Sequence, residues 1–170
     1  MAAKHFRDGR FSMKGIPSKL RGIADEYLES KGVDVKVQPI SILDEDFERG
    51  VGGAWTVATC LAHLGFWDRW QVVRWRDALA AGLAVPADVS DNVPDLANAA
   101  LEPTWRALPG EAAAVLALEA AAEIDALVAA LPDASVAAAP AAGRVRLLDR
   151  SIHRLEHVAQ VRRGLGRAER

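Results

Sequence analysis

The sequence has little cysteine, no long apolar run and only a small excess of charge. Its single Cys excludes an internal disulfide, so the 170 residues must fold around a hydrophobic core without covalent cross-links. No segment approaches the roughly 18 uninterrupted apolar residues that identify a membrane-spanning helix. The basic residues within 1–14 are followed by no apolar stretch, so we also expect no signal peptide. These absences predict a cytoplasmic protein with no membrane partner.

The charge of the chain argues against a nucleic-acid-binding protein. A formal net charge of -2 leaves no general basic face, which nucleic-acid-binding domains usually carry. The arginines between 162 and 170 are few, and they lie where the end of a helix favours cations. A hydrophobic fraction of 51% is too high for a disordered chain. We therefore expect one folded domain without a nucleic-acid partner.

Helices are predicted along most of the chain. Alanine, which has the highest helix propensity, is abundant after Ala78, and apolar residues recur at helical spacing in four segments. The predicted helices run from Pro17 to Gly32, from Thr56 to about Ala81, from about Glu111 to Leu131, and from about Val145 to Leu165. An Ala/Pro loop is expected at 133–143, after the helix that Pro132 ends.

The number and order of these helices predict an all-α fold. Four amphipathic helices with one long connection are typical of a four-helix bundle with a long crossover. We expect the bundle over residues 15–165, between a flexible N-terminal arm at 1–14 and a frayed C-terminus at 166–170. The crossover at 83–110 is long for a compact domain, so we expect a short helix within 95–107.

The start of the second predicted helix is the best defined. Gly52–Gly53 interrupts the preceding chain, and Thr56 is a good N-cap residue. Trp55 and Cys60 occupy the two positions of a hydrophobic staple around that cap. The sequence therefore predicts that this helix enters the fold at a fixed angle.

Three of the four histidines lie in predicted helices. His153 and His157 are four residues apart, which places both imidazoles on one helix face. His63 lies within an apolar run of the second predicted helix. If the two helices face each other, the three side chains bind a metal ion on one side and leave its other side open, as in a catalytic site. The alternative is that His153 and His157 are partly exposed polar residues beside a buried stripe.

Other side chains fall at positions that would surround such an ion. Gln160 lies seven residues after His153 on the same face, within reach of the site. Trp67 and Trp70 follow His63 by four and seven residues and are expected to form an apolar wall, which is compatible with ordinary core packing. Asp149, one turn before His153, is expected to orient that ring or to act as a base.

Four further residues were considered for a role in chemistry. Arg74 and Arg150 are candidates for binding a carboxylate or a thiol substrate, although surface charge is the commoner role of such arginines. Cys60 lies one turn before His63, and we interpret it as a small buried apolar residue. His5, in the N-terminal arm, is given no role.

Two motifs together resemble a known family. The first is Trp55-Thr56-Val57-Ala58-Thr59-Cys60-Leu61-Ala62-His63-Leu64, and the second is His153-x-x-x-His157-x-x-Gln160. In this order they resemble the DinB/YfiT-like superfamily of metalloenzymes, over roughly residues 15–165. The sequence departs from the family in two places. Thr59 stands where an acidic residue is common, and Glu156 stands where many members have a further histidine.

The resemblance implies a fold, a metal and a type of reaction. It implies a four-helix bundle, commonly dimeric, that binds a divalent ion such as Zn or Ni through three histidines. On this chain these would be His63, His153 and His157. The better understood members of the family are transferases that use a low-molecular-weight thiol such as mycothiol, bacillithiol or glutathione.

We therefore expect a metal-dependent transferase that adds a thiol to a small-molecule electrophile, and we expect a homodimer. Two alternatives stay open at this point. The same open site would activate water in a metal-dependent hydrolase, with Glu156 or Asp149 as the general base. The chain would otherwise be a ligand-binding or metal-binding stress protein without turnover.

Overall fold

The computed structural model describes residues 10–11 and 40–166. The predicted helix from Pro17 to Gly32 and residues 167–170 lie outside this part, as does the predicted arm apart from 10–11. Four short strands are present: β1 (Arg10–Phe11), β2 (Ile40–Ser41), β3 (Gly50–Gly52) and β4 (Trp55–Thr56). β1 pairs with β2, and β3 pairs with β4, in two separate antiparallel hydrogen-bonded pairs.

Helices make up most of the described chain, which confirms the all-α class. They are α1 (Val57–Ala80), α2 (Val93–Ala107), α3 (Gly110–Ala129), α4 (Asp133–Ala141) and α5 (Ser151–Gly164), with short 3-10 helices at Asp44–Asp46 and Val145–Leu147. The helix expected within the 83–110 connection is α2, which begins slightly earlier than predicted. None of the helices in the described ranges is both long and apolar enough to cross a membrane.

α1 begins and ends as its sequence predicts. The hydroxyl of Thr56, the N-cap residue, accepts a hydrogen bond from the backbone N–H of Thr59 at 3.2 Å. Cys60 is fully buried in the core, and Trp55 packs against that core on the other side of the cap. Gly82 follows the helix with a φ of 69°, a left-handed conformation that glycine adopts without strain.

Small residues allow α1 and α3 to pack closely. A Cβ atom at Gly65 of α1 would lie 2.7 Å from Leu116 Cγ and 3.0 Å from the backbone nitrogen of Ala117. Ala113 and Ala120 on the facing side of α3 are fully buried. Overpacked contacts of this kind typically cost about 1–3 kcal/mol. Glycine and alanine therefore set the distance between the two longest helices of the described chain.

The core is divided into two clusters along α1. One cluster contains Val57 and Leu61 from the first part of α1, and the other contains Val72 and Trp75 from its second part. The Trp75 indole is fully buried and donates a hydrogen bond from Nε1 to the carbonyl of Leu147 at 2.9 Å. His63 lies on α1 between these two groups of residues.

The β3–β4 hairpin packs against the C-terminal part of α5. A Cβ atom at Gly164 would lie 2.6 Å from the carbonyl oxygen of Gly50, so only glycine permits this approach. The hairpin turns at Gly52–Gly53, which have φ values of 121° and 58°. Because β4 leads directly into α1, this contact brings Trp55 next to the histidine face of α5.

The prediction of a loop at 133–143 is wrong, since Asp133–Ala141 forms α4. Pro132 occupies the N-cap position of α4, where a proline stops the previous helix without opposing the next one. Pro140 lies in the last turn. The high helix propensity of the intervening alanines therefore prevails over the two prolines.

The last helix also begins later than predicted. Residues Val145–Leu147 form a 3-10 helix, and α5 starts only at Ser151. The carboxylate of Asp149 accepts hydrogen bonds from the backbone N–H of Ser151 at 2.9 Å and from its hydroxyl at 2.6 Å. This local bonding favours a turn immediately before the helix.

Candidate metal centre

Three histidines from two helices meet in the structure. His63 is carried by α1, and His153 and His157 are carried by α5, so their ligand atoms all lie within 4.8 Å of one another. The ring centroid of His63 lies 5.2 Å from that of His153 and 4.6 Å from that of His157. His63 is buried, and the other two are half-buried. The predicted convergence of these three side chains is therefore confirmed.

All three imidazoles are held in the neutral form. Burial, reinforced by the charges of His157 and Arg150, lowers the pKa of His63 to about 3. Burial and the nearby Arg150 guanidinium lower the pKa of His153 far below its usual value. Burial also lowers the pKa of His157. A neutral imidazole has the lone pair that a metal ion requires, so protonation does not block the site near neutral pH.

The hydrogen bond of His157 suits a metal ligand, whereas one nitrogen of His63 is left unpaired. His157 Nδ1 lies 3.0 Å from Gln160 Oε1, and the amide oxygen accepts a hydrogen bond from the Nδ1–H group. The lone pair of the ring is then on Nε2. Gln160 is thus placed where the sequence predicted it. His63 Nδ1 is buried and has no hydrogen-bond partner within the described ranges. Such an unpaired buried nitrogen is unusual in a purely structural cluster.

The spacing of the nitrogens also fits an ion. His63 Nε2 and His153 Nε2 are 3.2 Å apart. Zn–N bonds of about 2.0–2.1 Å place two nitrogens of one tetrahedral site roughly 3.3 Å apart. Imidazole nitrogens suit Zn and Ni among the divalent metals. The three residues therefore fit a divalent ion. His153 differs from a usual ligand in one respect, because its Nδ1 atom faces the Arg150 guanidinium.

Two tryptophans enclose the histidines. The Trp55 ring lies 4.8 Å from His63 between centroids and stacks on His157 at 6.1 Å, with an interplanar angle of 17°. The buried Trp105 of α2 meets His63 edge to face at 5.1 Å. Sequence reasoning placed Trp55 at a helix start and did not assign Trp105 to the site. The only signal for Trp105 was a large apolar residue within the short helix expected at 95–107.

The predicted tryptophan wall is present in part. Trp67 lies 6.3 Å from His63 between ring centroids, and its Nε1 donates to Asn98 Oδ1 at 3.0 Å. Trp70 packs against Phe66 and Trp67. Trp67 thus borders the histidines and is tied to α2, whereas Trp70 belongs to the aromatic layer behind it.

The two acidic residues considered as bases are engaged elsewhere. Asp149 bonds to Ser151, as described above, and its Oδ2 atom has no partner in the part of the chain that the structure describes. Glu156 is exposed and forms an ion pair with Arg146 at 2.6 Å. The His153 Nδ1 atom that Asp149 was expected to orient lies next to Arg150 instead. Neither carboxylate has a hydrogen bond to a histidine of the centre in the described ranges.

A buried ion-pair network lies directly behind the histidines. Asp68 on α1 accepts a hydrogen bond from Arg150 Nε and another from Arg154 Nε, each at 2.8 Å. Arg154 also pairs with Asp125 on α3 at 3.0 Å. Arg150 is therefore not the surface charge that was considered the commoner role. Asp68 was missed, because an isolated aspartate within a helix gives no sequence signal of its own burial.

Arg74 and Cys60 have structural contacts rather than contacts with the histidines. Arg74 donates from Nη2 to the carbonyl of Ala87 at 2.5 Å, which ties α1 to the connection before α2. Burial raises the pKa of the Cys60 thiol to about 12. This side chain is therefore a neutral, buried group, as the sequence interpretation held.

No protein-family model, no curated protein and no solved structure matches the chain. The resemblance drawn from the two sequence motifs therefore stays a prediction. The candidate centre rests on the distances, burial and hydrogen bonds of its own residues.

The lowered pKa values predict that the metal-free protein loses stability on acidification. A histidine whose folded pKa lies below the unfolded value of about 6.5 binds its proton more readily in the unfolded chain. The free energy of unfolding is therefore highest above about pH 6.5 and falls as the pH is lowered. For His63 the fall continues down to its folded pKa of about 3. The slope is about 1.4 kcal/mol per pH unit for each such histidine.

Urea unfolding in the presence of a chelator at pH 7.5, 6 and 5 measures this dependence. The variant His63→Phe keeps a ring of similar size without the ionisable group, so its stability should depend less on pH than that of the wild type. A wild-type stability that stays constant between pH 7 and 5 would contradict the neutral, buried state of the three rings.

Proposed function

We propose that the protein is a divalent-metal-dependent enzyme that transfers a low-molecular-weight thiol to an electrophile. The observation that carries this proposal is the convergence of three neutral imidazoles from two helices, bordered on one side by tryptophan rings. Three histidine ligands leave part of the coordination sphere of an ion open, which is the arrangement of catalytic sites. A closed structural site would need a fourth side chain, and only these three group together among the described residues.

The positions of the motif residues support membership of the DinB-like family. Trp55 stacks on the site, and Thr56 caps the helix that carries His63. On α5, His157 and Gln160 are hydrogen-bonded to each other. Each of these motif residues therefore has a contact that explains its presence. With the predicted helix from Pro17 to Gly32, the helices α1, α3 and α5 would complete the four-helix bundle of that family, and α2 would lie on its long crossover.

Each residue of the centre would have a separate role. His63, His153 and His157 would hold the ion, and Gln160 would keep the His157 proton on Nδ1. When bound, a divalent ion lowers the pKa of a coordinated thiol or water and so provides a nucleophile at neutral pH. Trp55 and the buried Trp105 would exclude water from one side, and the partly exposed Trp55 would offer the electrophile an apolar surface.

The resemblance supplies three parts of this proposal: the thiol, a metal such as Zn or Ni, and the transferase chemistry of the family. A small-molecule substrate and a homodimer belong to the same proposal. Hydrolysis has less support, because Glu156 pairs with Arg146 and Asp149 bonds to Ser151. A hydrolase needs a general base near the ion, and neither carboxylate contacts a histidine of the centre through a hydrogen bond described here.

Turnover of an electrophile should require both metal and thiol. We expect the zinc- or nickel-loaded protein to convert 1-chloro-2,4-dinitrobenzene in the presence of mycothiol, bacillithiol or glutathione, measured as thioether formation. Treatment with a chelator should abolish the protein-dependent rate, and the variant Glu123→Ala, which changes a residue outside the histidine group, should retain it. Turnover without any thiol would contradict the transferase proposal and favour hydrolysis. Metal binding without turnover of any electrophile would favour a binding protein.

A further inference from the structure

Arg150 is fixed in place by three contacts. Its side chain is only 6% exposed, and Nε donates to Asp68 Oδ1 at 2.8 Å. Nη1 faces the carbonyl of Arg146 at 3.4 Å, and Nη2 lies 3.2 Å from His153 Nδ1. Because the guanidinium is planar, the first two contacts determine where the third nitrogen points. The guanidinium is therefore held next to the Nδ1 atom of the His153 ring.

The guanidinium determines which nitrogen of His153 carries the proton. Arginine has N–H donors and no acceptor, so His153 Nδ1 has to accept with its lone pair. The neutral ring then carries its proton on Nε2, and this Nε2–H donates to His63 Nε2 at 3.2 Å. Arg150, His153 and His63 thus form a chain of hydrogen bonds with one direction.

This arrangement opposes the role of His153 as a ligand. A neutral imidazole that binds a metal through Nε2 carries its proton on Nδ1 and usually donates it to a carboxylate, a carbonyl or water. His157 has this arrangement, since its Nδ1 faces the Gln160 oxygen. In His153 the corresponding proton would face the N–H groups of Arg150. Two donors in contact exclude a hydrogen bond and repel each other.

We propose that Arg150, anchored by Asp68, is a positioning residue that holds the metal-free His153 ring in the Nε2–H tautomer and thereby weakens metal binding at the three-histidine centre. The part that concerns metal affinity rests on the proposed function. The tautomer of His153 does not, because it is a property of the metal-free protein. The network joins α1, α3 and α5, because Arg154 on α5 pairs with Asp68 on α1 and with Asp125 on α3.

The structure offers a matched control for Arg150. Arg154 lies one turn further along the chain, on the helix that Arg150 precedes, is equally buried and donates to the other oxygen of Asp68 at the same distance of 2.8 Å. Its other partners are Asp125 and the carbonyl of Ala121, not a histidine. Removal of either arginine leaves Asp68 with one partner. The variants Arg150→Met and Arg154→Met therefore differ chiefly in their effect on His153.

Two measurements test the proposal. Long-range ¹H–¹⁵N NMR of the full chain with a chelator should show wild-type His153 with an unprotonated Nδ1 and a protonated Nε2, and His157 with the opposite pattern. Competition titration with Zn²⁺ should show that Arg150→Met binds the ion at least about tenfold more tightly than the wild type. Mutation of a residue that contacts a metal ligand usually changes the affinity by this factor. Arg154→Met should keep both the tautomer and the affinity of the wild type.

The outcomes separate this proposal from the metal site itself. A protonated Nδ1 on metal-free wild-type His153 would overturn it, and so would zinc binding by Arg150→Met that is equal to or weaker than that of Arg154→Met. If no variant binds Zn²⁺, the proposed function fails, and the wild-type tautomer alone decides the role of Arg150. If Arg150→Met does not fold, Arg150→Lys replaces it, because lysine lacks the planar fork that reaches both Asp68 and His153.

Discussion

Replacement of His63 by alanine is expected to reduce the metal content of the purified protein from about one equivalent to less than about one tenth. His63 is the only described ligand from α1, so its loss leaves two ligands from a single helix. Two imidazoles one turn apart bind a divalent ion far more weakly than three from facing helices. Elemental analysis of protein purified without a histidine tag measures the difference directly.

Cys60→Ala is the matched control for this experiment. Cys60 lies one turn before His63, is also buried, and is a common type of metal ligand. Its thiol is held neutral by burial, and it is not part of the histidine group, so this variant should keep its metal. Less than about one tenth of an equivalent in the wild-type protein would remove the support for the metal site. Loss of metal from Cys60→Ala alone would show that the ligand set is wrong.

The parts of the site that were predictable depend on spacing within one helix. The four-residue separation of His153 and His157 places both on the same face of any helix, whatever surrounds it. Gln160 reaches His157 for the same reason, since it lies three residues further on. The N-cap at Thr56 depends only on local backbone geometry. These features need no knowledge of how the helices pack.

The parts that were missed depend on which helices face each other. Trp105 reaches His63 only because α2, in the connection between α1 and α3, packs against α1. Asp68 is buried because Arg150, at the N-cap of α5, and Arg154, on α5, neutralise it, and both lie more than 80 residues away in the chain. A single sequence contains no information about such pairs. The bond between Asp149 and Ser151 was missed as well, because it depends on the helix beginning at Ser151.

The same limit explains the errors in the fold. The 133–143 segment contains two prolines that usually mark a loop, and its helix forms because one proline precedes the first turn and the other lies in the last. The close approach of α1 and α3 at Gly65 was also missed, because a single glycine within a helix does not show which residues of another helix it faces.

Replacement of Asp68 by alanine is expected to destabilise the protein by about 3–5 kcal/mol, the typical cost of removing one partner from a buried ion pair. Asp68 is 2% exposed and is the shared acceptor of Arg150 and Arg154. Without it, Arg154 keeps Asp125, whereas Arg150, whose side chain is 6% exposed, loses its only described carboxylate partner. Urea unfolding monitored by circular dichroism measures the change in the free energy of unfolding.

Glu123→Ala provides the comparison for this loss. Glu123 on α3 also accepts from two arginines, Arg69 and Arg76, but these side chains are largely exposed. Exposed ion pairs contribute about 0–1 kcal/mol, because water solvates the charges almost as well as the partner does. The two variants therefore remove the same number of ion pairs and differ chiefly in burial, since the Asp68 side chain is 2% exposed and that of Glu123 is 25% exposed. Equal losses would mean that water reaches the Arg150 guanidinium, and a solvated guanidinium could not hold the His153 ring in one tautomer.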